Sequence, residues 1–135
     1  MNIPRFMPRI RRYFKNLLPT LRSLTLREPR GSHRQVLYFV GLFQHLEDLK
    51  LRYKVEYGQQ PADDPAPAPL FAPPLRGRLT TSGSTVSLLN DMVHLFGGIL
   101  FRQMDLHNVE TPWLWIDACT ETLETLRLYQ TGEQP

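Results

Sequence analysis

The chain has 135 residues, is 41% hydrophobic and 21% charged, and carries a formal net charge of +3. That length fits one domain, and the composition is globular, neither disordered nor collagen-like. The longest mainly apolar run, Val36 to Phe43, falls far short of the ~20 residues a bilayer needs, and no apolar segment follows the N-terminal charges as a secretory signal requires.

The charge is divided unevenly. Residues 1–34 hold nine basic side chains (Arg5, Arg9, Arg11, Arg12, Lys15, Arg22, Arg27, Arg30, Arg34) against Glu28 alone, which leaves the rest of the chain at −5. From Pro8, the residues Ile10, Tyr13, Phe14, Leu17 and Leu18 follow helical spacing, with Arg11, Arg12 and Lys15 off the stripe and Pro19 ending it. Organellar presequences and binders of nucleic acid or acidic membranes share this pattern. The stripe runs directly into the next apolar pattern, so residues 1–19 are read as a basic amphipathic helix covering the first repeat of a domain at 20–135. Salt-sensitive heparin retention that is lost on replacing Arg9, Arg11, Arg12 and Lys15 would instead mark a binder.

A repeat follows. Leu21-x-x-Leu24-x-Leu26 returns as Leu46-x-x-Leu49-x-Leu51, Phe101-x-x-Met104-x-Leu106 and Leu123-x-x-Leu126-x-Leu128, with a degenerate copy at Pro74-x-x-Gly77-x-Leu79. The starts lie 25, 28, 27 and 22 residues apart, within or near the ~20–29 of leucine-rich repeats, although the Asn that often follows the third apolar residue is missing. Alternation sends positions four and six of each motif to one face and three, five and seven to the other. Between motifs the period turns helical. Ser32-x-x-Gln35 reads as a capping box before Val36, Leu37, Val40 and Phe43, with His45 ending that helix. Ser84 or Thr85 caps a second helix containing Val86, Leu89, Met92, Val93 and Phe96, stopped by Gly97-Gly98. Thr111-Pro112 opens a third, bearing Trp113, Leu114, Ile116 and Cys119. The predicted fold is an α/β solenoid of leucine-rich-repeat type, a parallel sheet of about five strands with helices on one face. Leu24, Leu26, Leu49, Leu51, Leu79, Met104, Leu106, Leu126 and Leu128 are expected beneath those helices.

The strings Leu21-Arg-Ser-Leu-Thr-Leu, Leu46-Glu-Asp-Leu-Lys-Leu and Leu123-Glu-Thr-Leu-Arg-Leu resemble the leucine-rich repeats of fungal F-box-type proteins over about residues 17–129. That resemblance implies a substrate-holding module of the kind found in ubiquitin ligases. The segment ahead of Leu21 does not read as an F-box.

Six of the twelve prolines fall between Pro61 and Pro74, which predicts a Pro-rich loop at 58–74 in place of a covering helix. None of these six is spaced as P-x-x-P, so a ligand for proline-binding domains is not expected. Asp63 and Asp64 read as loop solvators.

Cys119 is the only cysteine, which excludes an intrachain disulfide and suits an intracellular location, cytoplasmic or nuclear. It is expected to be a buried, inert thiol beside Trp115 and Ile116. His33, His45, His94 and His107 lack metal-ligand spacing with one another or with Cys119, and no Gly-Lys-Ser/Thr follows the glycines. Accordingly no cofactor, metal, small-molecule substrate or enzymatic activity is expected.

The open sheet face is the candidate interaction surface. Its predicted rows are Ser23, Asp48, Arg76, Gln103 and Thr125; then Thr25, Lys50, Arg78, Asp105 and Arg127; then Arg27, Arg52, Thr80, His107 and Tyr129. Pairs such as Asp48 with Arg76 and Arg78 with Asp105 are expected within it. The expected partner is a protein. The last strand, Leu123 to Tyr129, is expected to lack a cover and a neighbour, which predicts an incomplete solenoid, either a piece of a longer repeat protein or one that shields that edge by self-association.

Overall fold

The computed structural model describes residues 18–53 and 74–130. The helix predicted over 1–19 and the loop predicted over 58–74 lie outside these residues, apart from Leu18, Pro19 and Pro74. Five strands, β1 (Ser23–Arg27), β2 (Asp48–Arg52), β3 (Leu75–Ser82), β4 (Ile99–His107) and β5 (Thr125–Tyr129), form one parallel sheet in chain order. The helices α1 (His33–Gly41), α2 (Val86–Phe96) and α3 (Pro112–Ala118) stand between strands in sequence. The architecture is therefore α/β with a parallel sheet.

Alternation along the strands makes the core. Leu26, Leu49, Leu51, Leu79, Met104 and Leu106 are buried on one face, with Leu24 partly so. Onto them pack Val36, Leu37 and Val40 of α1 and Leu88, Leu89, Met92, Leu95 and Phe96 of α2. The caps follow from the sequence. Ser32 and Gln35 form the reciprocal capping box, Thr85 caps α2 through Leu88 N–H, and Gly97 closes α2 in the left-handed conformation at φ 68°. Thr81 takes the core position that is Leu51 in β2 and Leu106 in β4. Its hydroxyl is satisfied there by a hydrogen bond with that of Ser84.

Neighbouring strands are also joined by a recurring pair of bonds. On entry, Glu47 N–H and Asp48 N–H donate to Arg22 C=O (2.8 and 3.0 Å), Arg78 N–H to Glu47 C=O (2.8 Å) and Glu124 N–H to Arg102 C=O (2.8 Å). On exit, Glu28, Tyr53, Gly83 and Asn108 N–H donate to the carbonyls of Arg52, Ser82, His107 and Tyr129 at 2.7 to 3.0 Å. Glu28, Gly83 and Asn108 share a left-handed backbone at this exit.

The structure corrects several expectations. Leu79 pairs with Leu49 and Met104, so it holds position four of its repeat, whereas the sequence pattern put it at position six. The equivalent residues Leu24, Leu49, Leu79, Met104 and Leu126 are thus 25, 30, 25 and 22 residues apart. Gly77 permits this setting. Its φ is +88°, and a Cβ there would lie 2.2 Å from the Glu47 carbonyl oxygen, so only glycine lets β3 approach β2. Across from it, β4 carries the extra residue Arg102 where the register shifts.

Leu126 and Leu128 are 40% and 46% exposed, because no helix covers β5 among the described residues. Val93 points outward on α2. In α3 the buried side chain is Trp115, while Trp113 (62% exposed) and Leu114 face outward; seven residues give two turns, too few to bury a wide stripe. Thr111 sits at the N-cap of α3 but makes no side-chain capping bond. Helix α1 stops at Gly41, so His45 lies exposed in the following turn and not at a helix end.

Leu49 and Leu126 hold the same motif position in different surroundings. Leu49→Ala is expected to cost about 2–5 kcal/mol in urea unfolding, through lost contacts and a cavity. Leu126→Ala is expected to cost about 1 kcal/mol or less, as for a surface change. Equal losses would contradict the burial pattern.

Candidate functional site

The sheet face opposite the core carries no helix among the described residues. Cross-strand pairing gives its rows as Ser23–Asp48–Arg78–Gln103–Thr125, Thr25–Lys50–Thr80–Asp105–Arg127 and Arg27–Arg52–Ser82–His107–Tyr129. The β1, β2, β4 and β5 members stand where the sequence put them. The β3 members do not, since the Gly77 approach moves that strand by two residues. Arg76 lies one step ahead of the first row, exposed and paired with Leu100. Arg78 moves into the first row between Asp48 and Gln103, and Thr80 into the second between Lys50 and Asp105. Ser82 completes the third. The sequence pattern missed it, although Gly83 and Asn108, the turn residues following Ser82 and His107, carried the alignment.

This register concentrates chemistry at the centre of the face. Arg78 Nη2 donates to Asp105 Oδ2 at 2.8 Å and Nε to the same oxygen at 3.3 Å, which realises the expected pair. Asp48 pairs across with Arg78 and adds its charge there, so the expected Asp48–Arg76 pair is replaced by Asp48–Arg78. The face is not uniformly solvent-exposed as the rows implied: Asp105 is 5% exposed and Thr80 9%, sunk among longer neighbours. Burial alone would raise the Asp105 carboxyl. The Arg78 guanidinium, with the Gln103 amide and the Arg127 charge, outweighs that and holds it below its ordinary range. Asp48 Oδ1, Thr80 Oγ1 and Asp105 Oδ1 are buried without a hydrogen bond among the described residues.

The rim differs from the centre. Arg27 and Arg52 sit directly opposite each other on β1 and β2, both exposed. Lys50 is half-buried and Arg127 exposed. None of these four is in an ion pair among the described residues. At the other end of the third row, the His107 and Tyr129 rings stack, with centroids 4.4 Å apart and planes 7° from parallel.

The other singled-out groups stay apart from this face. Cys119 is buried, its thiol 3.7 Å from the Ile99 carbonyl, and burial pushes it up against the opposing pull of a backbone bond from Phe101. His33 packs edge-on against Tyr53 (5.6 Å), and burial lowers it despite the Asp91 charge. His94 is exposed in the last turn of α2. Among the described residues no three His, Cys, Asp or Glu side chains gather as metal ligands. No helix there is long and apolar enough to cross a membrane.

Because the folded chain holds Asp105 below its ordinary range, the unfolded chain binds that proton more readily. The carboxylate therefore stabilises the fold fully above roughly pH 4, and this is lost as pH falls through the lower folded value. Asp105→Asn is expected to be less stable than wild type near neutrality and to converge with it in acid. Urea midpoints that run parallel from about pH 7 to about pH 2.5 would contradict the pairing.

Comparison of the chain with family models, curated proteins and solved structures finds no match in any of the three, so the reading of the face rests on its own geometry.

Proposed function

We propose that the chain is a leucine-rich-repeat-type solenoid module whose open sheet face binds a protein partner. The carrying observation is the contrast between the two faces: one is filled by α1, α2 and Trp115, while the other presents exposed Arg27, Arg52, Arg127 and Tyr129 in register. Open faces of repeat solenoids are extended binding surfaces. Repeat lengths of 22 to 30 residues and the recurring entry and exit bonds support the solenoid reading. The resemblance of the three leucine strings to repeats of F-box-type proteins supports a substrate-holding role of the kind such modules serve in ubiquitin ligases.

The test is steric and leaves charge untouched. Thr25→Trp combined with Thr125→Trp fills the outer strands of the face, whereas Asn90→Trp places the same bulk on the exposed side of α2. A partner captured by the wild-type chain and rebound as purified protein is expected to be lost from the first variant and kept by the second. Equal retention by both would overturn the reading.

The exposure of Leu126 and Leu128 on a strand that, among the described residues, is paired on one side favours a second reading, self-association of two copies through β5. Sedimentation velocity is then expected to show a concentration-dependent dimer, abolished by Leu126→Lys with the fold retained. A monomer at all concentrations would remove that reading.

A further inference from the structure

We infer that the partner segment bound by the open face is an extended acidic peptide, lying across the strands, with two carboxylates about four residues apart. This rests on the open face being the binding surface and specifies what it takes.

Seven charged side chains line the three rows: Arg27, Lys50, Arg52, Arg78 and Arg127 against Asp48 and Asp105. The two carboxylates flank β3, Asp105 buried and Asp48 half-buried; Arg78 is bonded to Asp105 and paired across from Asp48. What remains for a ligand is cationic and peripheral. At one side, Arg27 and Arg52 face each other in the third row, a like-charge juxtaposition that costs the sheet stability and is relieved by an anion placed between them. Lys50 adjoins them in the second row. At the other side stands Arg127 on β5.

Spacing selects the ligand. Lys50 and Arg127 share the second row, three strand intervals apart, and intervals of ~4.8 Å place them roughly 14 Å from each other. An extended chain rises ~3.3 Å per residue, so carboxylates at i and i+4 match that distance and project from the same side. Between them the segment crosses Thr80 and Asp105, which favours hydroxyl or amide-bearing residues. A polynucleotide fits less well, because a phosphate at every residue would lie over the Asp48–Asp105 strip.

The experiment is fluorescence anisotropy on the full chain with a labelled peptide, Ser-Gly-Glu-Val-Thr-Val-Glu-Ser-Gly, whose central Thr shares the side of the two Glu. Controls are the same peptide with both Glu replaced by Gln, an isomer with the two Glu adjacent, and a nine-nucleotide single strand. Binding that is at least tenfold tighter for the first peptide than for either control peptide is expected. It should fall at least tenfold for Lys50→Gln combined with Arg127→Gln, hold for Arg30→Gln on the same chain, and weaken steeply with salt. Equal binding of both Glu isomers, tighter binding of the oligonucleotide, or no loss in the Lys50/Arg127 variant would overturn the inference. If no acidic peptide binds but a partner is still lost on filling the face with tryptophan, the acidic ligand is wrong and the open-face reading stands. If filling the face also leaves the partner bound, both fail.

Discussion

The contact on which this structure turns is the approach of the Gly77 backbone to the Glu47 carbonyl. A side chain at position 77 would collide with that oxygen, and the left-handed φ of +88° disfavours any L-residue there independently. With glycine in place, Arg78 N–H reaches the same carbonyl at 2.8 Å, and β3 locks to β2 with Asp48 opposite Arg78. The register on both sides follows, since β3 is the middle strand of five. One face gains Leu79 between Leu49 and Met104; the other gains Arg78 between Asp48 and Gln103 and diagonal to Asp105.

The same residue placement thus governs stability and surface chemistry. A two-residue slip keeps side chains on their faces, so the hydrophobic pattern alone does not forbid it. It would, however, carry Arg78 from the first row to the second and put Arg76 opposite Asp48. The buried hydroxyl of Thr81 would also lose its place in the ladder between Leu51 and Leu106. In the observed register the two carboxylates are internal to the face and its cations are peripheral, which makes an apparently mixed surface attractive to anions at its edges.

How legible each part was follows from the side chains that mark it. In β1 and β2 leucines occupy both inward positions, so the alternation is unambiguous and the predicted rows hold there. Helices α1 and α2 announce themselves through Ser32/Gln35, Thr85 and Gly97, whose roles are local. In β3 the inward residues are Leu75, Gly77, Leu79 and Thr81, and with glycine and threonine at two of these positions the leucines do not say whether Leu79 is the fourth or the sixth residue of its motif. What resolves it is the close approach of Gly77 to the Glu47 carbonyl, a tertiary contact invisible along the chain. Leu126 and Leu128 fit the repeat as well as any other pair, yet a repeat position confers burial only when the next layer is there. The depth of Asp105 could not be read from its row because it depends on the neighbours standing around it.

Cysteine trapping of strand register tests the central claim most directly. In-register residues on parallel neighbours lie ~4.8 Å apart, within disulfide reach, while a two-residue offset takes the Cα separation to roughly 8 Å, beyond it. The native Cys119 is buried and its thiol pushed up, so it does not compete. Under mild oxidation, Asp48→Cys with Arg78→Cys is predicted to close an intramolecular disulfide in the folded chain, and Asp48→Cys with Arg76→Cys to remain reduced. Closure of the 48–76 pair in preference to the 48–78 pair would contradict the register, and with it the Arg78–Asp105 centre of the face.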